Sequence, residues 1–165
     1  NRFYFVYPDG AVQHYDKKHL FTFGGEHKRF TAGTERVVVN FRGVRILLEV
    51  CYDLRFPVWS RNLGDYDMIL YVASWPTPRV DAWSALLRAR AIENQCYVAG
   101  VNRMGTDPTC EYSGGSAIID PYGKTIAECP WSRESAVSAD IDMEALQAFR
   151  KKFPVLDDAD PFTLI

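Results

Sequence analysis

The chain has 165 residues, of which 47% are hydrophobic and 24% are charged, a composition typical of a single globular domain. Its 19 basic and 21 acidic residues give a formal charge of −2, so the charge does not favour binding to nucleic acid. No apolar run approaches the roughly 20 residues that span a bilayer, and we expect no membrane interaction.

The first predicted elements are a hairpin, a long loop and a strand. Residues 3–7 and 11–15 flank a Pro-Asp-Gly turn, which predicts a β-hairpin. Residues 16–33 are polar and predict a long loop of the kind that often carries function, and residues 36–41 predict the next strand. Because the chain starts inside the first predicted strand without an initiator Met, we expect residues 1–165 to form one domain that is truncated at its N-terminus.

The middle of the chain alternates buried strands with helices. Val44–Val50 and Met68–Ala73 are nearly continuous apolar runs, the pattern of strands that are covered on both faces. Pro57 predicts the first turn of a short helix that ends near Gly64. Apolar residues at helical spacing predict a longer helix over Val80–Asn94.

The last third of the chain is predicted to contain several strands and a final helix. Asp142 can cap that helix, and Pro154 ends it. The predicted strands are residues 97–101, 116–120, 124–128 and 136–141, with a loop at 102–115. Strand–helix–strand units between hairpins predict an α/β fold with mixed sheets, and the chain lacks the G-x-G-x-x-G pattern of dinucleotide-binding folds.

Cys51 stands at the end of a predicted buried strand and before a predicted helix, where α/β proteins display reacting groups. Such a sharp turn resembles a nucleophile elbow, which exposes one side chain and aims a following backbone N–H at an oxyanion. An ordinary thiol is mostly protonated at neutral pH, so a nucleophilic Cys51 needs a cation and a base nearby. Position alone also allows a buried core cysteine.

The long loop supplies candidate partners for Cys51. Lys17 is the obvious cation, although most lysines are simply solvated, and the same holds for the charge of Glu26. His19 could pair with Cys51 as in papain-like proteases, but in those enzymes the histidine follows the cysteine. The candidate cations for a substrate carboxylate are Arg55, Arg79, Arg88, Arg90 and Arg103.

The four cysteines do not form a metal-binding pattern. There is no C-x-x-C pair, and no histidine lies near a cysteine in the sequence. We therefore predict no metal site, four free thiols and a cytoplasmic protein.

Five motifs resemble those of the nitrilase superfamily of carbon–nitrogen hydrolases, and they occur in the order found in that family. They are residues 15–21 (YDKKHLF), 50–57 (VCYDLRFP), 73–76 (ASWP, where the family usually has Asn in place of Ser74), 88–94 (RARAIEN) and 116–123 (SAIIDPYG). The resemblance covers the chain from end to end.

This resemblance implies a four-layer αββα sandwich and a thiol hydrolase that needs no metal or cofactor. By position, Cys51 matches the family's nucleophile and Lys17 its lysine, and Glu26 matches an additional glutamate that orients the lysine. Lys17 and the backbone N–H of Tyr52 would hold the oxyanion. A homodimer is also implied, since such domains commonly pair near the cysteine.

Within the superfamily, residues 51–62 and 75–79 are similar to the omega-amidase branch, which cleaves the terminal amide of small 2-oxo acids. Such a substrate needs a cation for its carboxylate, and we predict Arg79 for this role, beside Trp75. The Glu–Lys–Cys triad of the family also serves nitriles and N-carbamoyl amino acids, so these substrates stay open. A non-catalytic module that acts only through dimer or partner contacts also stays open.

One part of the family's pattern is absent. The general-base glutamate of the family precedes the region that matches Asn1, and we therefore expect the chain alone to be inactive. Glu35 does not replace this general base. Glu49 does not replace it either, because it lies one position off the strand face that would carry the neighbours of Cys51. Asp53 and Arg55 are predicted to form a structural ion pair under the nucleophile turn.

Overall fold

The computed structural model describes residues 1–163, and these residues form ten strands and two α-helices with short 3-10 segments between them. The strands are β1 (Arg2–Val6), β2 (Val12–Asp16), β3 (Val38–Phe41), β4 (Val44–Val50), β5 (Met68–Ala73), β6 (Tyr97–Asn102), β7 (Met104–Thr106), β8 (Glu111–Ser113), β9 (Ala117–Ile119) and β10 (Thr125–Glu128). The helices are α1 (Val80–Asn94) and α2 (Met143–Lys152). The predicted strands at Val44–Val50 and Met68–Ala73 and the predicted helix at Val80–Asn94 are confirmed to the residue.

A six-stranded mixed sheet in the order β10-β9-β6-β5-β4-β3 organises the chain. Its central pairs, β4 with β5 and β5 with β6, are parallel, whereas the outer pairs are antiparallel. Val50 pairs with Val72, so β4 and β5 end side by side at the same edge of the sheet. Whatever follows these two strands is therefore brought together, and Cys51 follows the first of them.

Helix α1 covers one face of this sheet. Trp83 and Leu87 pack there against Ile69 and Val98 in one buried cluster. The helix comes so close to β6 that a Cβ at Gly100 would lie 2.7 Å from the side chains of both Trp83 and Leu87. Glycine at position 100 is thus required by the close approach of helix and sheet.

The antiparallel ribbon β1–β2 and helix α2 lie on the other face. Tyr15 of the ribbon and Leu146 of α2 are buried with Ile46 and Leu48 of β4. The described residues thus supply a helical layer, a central sheet and a strand layer, in agreement with the predicted α/β class with mixed sheets. No helix within residues 1–163 is long and apolar enough to cross a bilayer.

Asp67, just before β5, holds the edge of the sheet opposite to Cys51. Its buried carboxylate accepts bonds from Arg45 Nε at 2.9 Å and from Arg150 Nη1 at 2.8 Å. Because Arg150 belongs to α2, these bonds join that helix to the amino ends of β4 and β5. Asp142 caps α2 as predicted, since its Oδ1 accepts from the backbone N–H of Ala145.

The predicted helix between Pro57 and Gly64 is wrong. The chain instead makes consecutive tight turns, in which Phe56 N–H donates to Asp53 O and Trp59 N–H donates to Phe56 O. Further along, the Asn62 side chain bonds to the backbone carbonyls of Tyr66 and Asn94. These side-chain bonds offer the backbone an alternative to a helix.

Two further differences lie near the end of the chain. Residues 136–141 do not form the predicted strand, because they run along the surface without pairing with the six-stranded sheet. The predicted loop at 102–115 contains the short hairpin β7–β8, in which Met104 pairs with Ser113. Both segments are short, so whether they pair as β-strands depends on their tertiary neighbours more than on their own sequence.

Replacing Gly100 with Ala should destabilise the fold by about 1–3 kcal/mol, because the added methyl overpacks the contact with Trp83 and Leu87. Chemical denaturation followed by circular dichroism measures the free energy of unfolding. Val101→Ala is the matched control, since Val101 is the next residue of β6 and is 57% exposed. Equal stability of the two variants would contradict the close packing of α1 on β6.

Candidate active site

A cavity of about 1120 Å³ opens where β4 and β5 end, and all six predicted site residues line it. The predicted residues are Lys17, Glu26, Cys51, Tyr52, Trp75 and Arg79. They come from three separate parts of the chain, which the loop after β2 and the two parallel strands bring to one edge of the sheet. The spatial grouping that the sequence predicts is therefore present.

Cys51 occupies the sharp turn between β4 and a 3-10 segment, Cys51–Arg55. Its φ angle is +49°, in the left-handed region that residues other than glycine rarely adopt. Such strain is typical of functional sites, where the surrounding structure maintains it. The Sγ atom lies 3.9 Å from the carbonyl oxygen of Ser74, which follows β5, and the side chain faces the cavity.

Burial raises the pKa of the Cys51 thiol above its ordinary value. The Lys17 ammonium acts in the opposite direction, but it does not overcome the burial, and the charges of Glu26 and Asp53 add to the increase. Lys17 alone does not keep the sulfur ionised at neutral pH in this arrangement. This direction agrees with the sequence-based prediction that Cys51 needs both a cation and a base.

Lys17 and Glu26 form a tight ion pair beside the thiol. Lys17 Nζ lies 3.0 and 2.7 Å from the two carboxylate oxygens of Glu26, and the lysine is only 2% exposed. The backbone N–H of Phe21 also donates to Glu26. Burial opposes the ionisation of Glu26, but these bonds hold the pKa of its carboxyl below the usual value.

The predicted ion pair between Asp53 and Arg55 is wrong. Asp53 is fully buried, and its carboxylate accepts four hydrogen bonds. The donors are the hydroxyl of Tyr15, the backbone N–H and Nδ1 of His19, and the backbone N–H of Val50, at 2.8 to 3.0 Å. His19 is therefore bonded to Asp53, and it does not line the cavity that contains Cys51.

Two arginines of the cavity wall lie over aromatic rings. The guanidinium of Arg55 is 5.0 Å from the ring centre of Trp75, and that of Arg79 is 5.6 Å from the ring centre of Phe21. Within residues 1–163, neither guanidinium is at ion-pair distance from a carboxylate. Both positive charges are thus available to an anionic ligand in the cavity.

Trp75 fixes the position of Arg79. The indole Nε1–H of Trp75 donates to the carbonyl oxygen of Arg79 at 2.7 Å, and the backbone N–H of Trp75 donates to Asn102 Oδ1 at 2.7 Å. Among the other candidate cations, Arg88, Arg90 and Arg103 do not line the cavity.

Sequence reasoning missed one wall of the cavity. Thr109, Cys110 and Tyr112, in the β7–β8 hairpin, complete the lining. The carboxylate of Asp107 holds the hairpin tip, because it accepts from the backbone N–H groups of Thr109 and Cys110 and from the hydroxyl of Tyr112. The segment has no strong strand pattern, so nothing in the sequence marked it as part of the site.

Glu49 does not line the cavity, as expected from its position in β4. Its side chain is fully buried and accepts a bond from Ser60 Oγ at 3.0 Å. Burial raises the pKa of Glu49 to about 8. Among the described residues, no group of three or more His, Cys, Asp or Glu side chains is arranged to hold a metal ion.

Comparison with known proteins identifies the family. The carbon-nitrogen hydrolase profile matches residues 1–151. The chain is 55% identical to omega-amidase YafV of Escherichia coli K12, over 99% of this chain and 64% of that protein. It is 40% identical to 2-oxoglutaramate amidase of Bacillus subtilis, over 96% of this chain and 62% of that protein.

A solved structure agrees with these sequence relationships. The fold superimposes with a TM-score of 0.96 on XC1258 of Xanthomonas campestris, a CN-hydrolase superfamily protein that is 48% identical, over all of this chain and 65% of that one. The chain spans a little under two thirds of the length of the relatives that it matches. Since the family profile covers most of the sequence and the resemblance to the nitrilase superfamily is confirmed, the chain belongs to the carbon-nitrogen hydrolase family.

Proposed function

We propose that this chain carries the nucleophile and the oxyanion-binding groups of a thiol amidohydrolase. The substrate is the terminal amide of a small 2-oxo acid, of the omega-amidase type, and the products are the acid and ammonia. The observation that carries the proposal is the cavity that a strained Cys51 lines together with the ion pair of the buried Lys17 and the partly buried Glu26. Family membership and the names of the relatives support the reaction class.

In this reaction, the sulfur of Cys51 attacks the amide carbon, and the carbonyl oxygen becomes an oxyanion. The Lys17 ammonium and the backbone N–H of Tyr52 stabilise that charge. Tyr52 suits this role because it lies in the first turn of a 3-10 segment, where backbone N–H groups have no acceptor within the segment. The amide nitrogen takes up the proton that the base has removed from sulfur and leaves as ammonia, and water then hydrolyses the thioester to free acid and thiol.

The attack requires a base, because burial raises the pKa of the Cys51 thiol and so favours its protonated form. Glu26 is the only carboxylate that lines the cavity among residues 1–163, and its oxygens already accept bonds from Lys17 and Phe21. We therefore assign Glu26 to the orientation of Lys17 rather than to proton transfer.

The charge of the cavity supports a substrate with a carboxylate. Arg79 and Arg55 have no carboxylate partner within residues 1–163, so an acid group that enters the cavity finds two available guanidinium groups. Trp75 holds the backbone of Arg79 in place and forms an apolar wall. No metal or cofactor takes part in the proposed reaction.

We also propose a homodimer in the cytoplasm. The family resemblance implies the dimer, since domains of this family commonly pair near the cysteine, and the exposed apolar side chains of Val58 and Leu63 lie in the segment after the nucleophile turn. The four cysteines are free thiols, which is the state favoured in a reducing compartment.

Replacing Cys51 with Ser should lower ammonia release from 2-oxoglutaramate by at least about 10³-fold, because the hydroxyl is a far weaker nucleophile. The assay uses an N-terminally extended form of the protein that includes the family's general-base glutamate. Cys129→Ser, in a buried position away from the cavity, should leave the rate unchanged. Equal rates for the two variants would favour a non-catalytic module, whereas turnover of nitriles alone would correct the substrate.

Replacing Lys17 with Met should move the pH inflection of Cys51 alkylation by iodoacetamide to higher pH. The ammonium lowers the pKa of the thiol, so its loss leaves less thiolate, with about a tenfold slower reaction for each pKa unit. Peptide mass spectrometry follows each cysteine separately. Lys18→Met is the matched control, because Lys18 lies over the Trp59 ring and does not line the cavity. An unchanged profile in the Lys17 variant would remove Lys17 from the site.

Replacing Arg79 with Ala should weaken the binding of 2-oxoglutarate, the expected product. A hydrogen bond to a charged group contributes about 1.5–3 kcal/mol, so the concentration that half-protects Cys51 from alkylation should rise about tenfold or more. Arg88→Ala, an exposed position on α1, is the control and should not change the protection. If both variants retain the wild-type value, the carboxylate does not bind at Arg79.

A further inference from the structure

The four hydrogen bonds to Asp53 join the two parts of the chain that carry the reacting groups. Tyr15 and His19 stand two residues before and two residues after Lys17. Val50 directly precedes Cys51, and Asp53 itself lies in the turn that begins at Cys51. One buried carboxylate thus bonds to the chain on both sides of Lys17 and to the residue before Cys51, while Asp53 itself stands two residues after the nucleophile.

Each of the two oxygens of this carboxylate accepts two of the four hydrogen bonds. Oδ1 accepts both bonds from His19, at 2.9 Å from the backbone nitrogen and 2.8 Å from Nδ1. Oδ2 accepts from the Tyr15 hydroxyl at 2.9 Å and from the Val50 nitrogen at 3.0 Å. A fully buried carboxylate is tolerated only when its oxygens are bonded, so these groups hold one another in a single arrangement.

The groups that donate to Asp53 are themselves held in place. The Tyr15 hydroxyl also accepts bonds from Trp59 Nε1 at 3.0 Å and from the Lys18 nitrogen at 3.1 Å. Burial raises the pKa of Tyr15, so its hydroxyl stays protonated and donates to Asp53. The imidazole of His19 stacks on the ring of Phe56, with 3.8 Å between the ring centres.

We propose that Asp53 is a positioning residue, which sets the location of the Lys17 ammonium relative to the Cys51 sulfur. It does not touch the substrate, because it is fully buried and does not line the cavity. The inference rests on the proposed function through the roles of Cys51 and Lys17. It predicts that Cys51 responds to Asp53 even though no direct bond joins the two side chains.

The test is the pH profile of Cys51 alkylation in Asp53→Asn. Asparagine keeps the size of the side chain, but its NH₂ group cannot accept a bond. In either orientation, its NH₂ group faces a backbone N–H from which it cannot accept, that of His19 or that of Val50, so the set of four bonds is broken. The ammonium then moves away from the sulfur, and at a fixed pH below the inflection we expect alkylation to become about tenfold slower.

The direction in which the alkylation rate changes distinguishes three possible roles of Asp53. The charged groups that act on the Cys51 thiol are Lys17, Glu26 and Asp53, and the negative charge of Asp53 by itself raises the thiol pKa. If Asp53 acted only as a nearby charge, its removal would make alkylation faster. If it served only the stability of the fold, the folded variant would keep the wild-type profile. Either of these results overturns the proposal.

Asp67→Asn is the matched control. Asp67 is also a buried aspartate with several donors, but it lies at the opposite edge of the sheet. We expect it to lower the melting temperature and to leave the alkylation profile of Cys51 unchanged. The same decrease in alkylation in both variants would show that general loosening of the fold causes the effect, and it would overturn the proposal.

A second variant covers the case in which Asp53→Asn does not fold. His19→Phe keeps a ring against Phe56 and removes only the Nδ1 bond. We expect alkylation to become about threefold slower, since a single hydrogen bond is lost. A folded His19→Phe protein with the wild-type profile overturns the proposal.

The failure of this inference is distinguishable from the failure of the proposed function. If Lys17→Met shifts the Cys51 profile but Asp53→Asn does not, only the positioning role is wrong. If Lys17→Met also has no effect, then the ammonium does not act on Cys51 and the proposed site fails.

Discussion

The site depends on a buried ammonium that must keep a negative partner. Lys17 is almost completely withdrawn from water, and a charge in that position is stable only when it is paired and hydrogen-bonded. Glu26 supplies the pairing, and the loop has to fold back on its own start to bring it there. Gly33 closes that loop with a bond to the Lys17 carbonyl, at a point where a Cβ would lie 2.1 Å from Asp16 O. The path of the loop, and one wall of the cavity, follow from this ion pair.

The sheet contributes the opposite half of the site. The parallel strands β4 and β5 end side by side, so the turn at Cys51 and the segment that holds Trp75 and Arg79 face each other. Burial has two effects there: it raises the pKa of the Cys51 thiol, and it lets the Lys17 ammonium act through a medium that screens charge less than water does. The folded site therefore places a thiol whose pKa is raised next to an ion pair.

Local patterns predicted the elements that build this site better than those around it. The apolar runs of β4 and β5 and the helical spacing of α1 predicted these three elements correctly, because the elements are long and are buried in the sheet or against it. The predicted helix after Pro57 does not form, since the side-chain bonds of Asn62 outweigh the local helical preference. The predicted strand at 136–141 does not form, since these residues have no strand of the sheet to pair with. The β7–β8 hairpin was missed because three-residue strands carry little pattern.

The sequence by itself determined which residue types carry the chemistry and in which order they occur, because motif spacing and periodicity are properties of the chain. Only the tertiary structure decided which charges pair. Asp53 has Arg55 two residues away, yet it bonds to His19 across 34 residues, because folding buries the carboxylate among four donors and leaves the guanidinium over Trp75. The direction of the Cys51 pKa also belongs to the fold, since burial, which outweighs Lys17, exists only after the chain has packed.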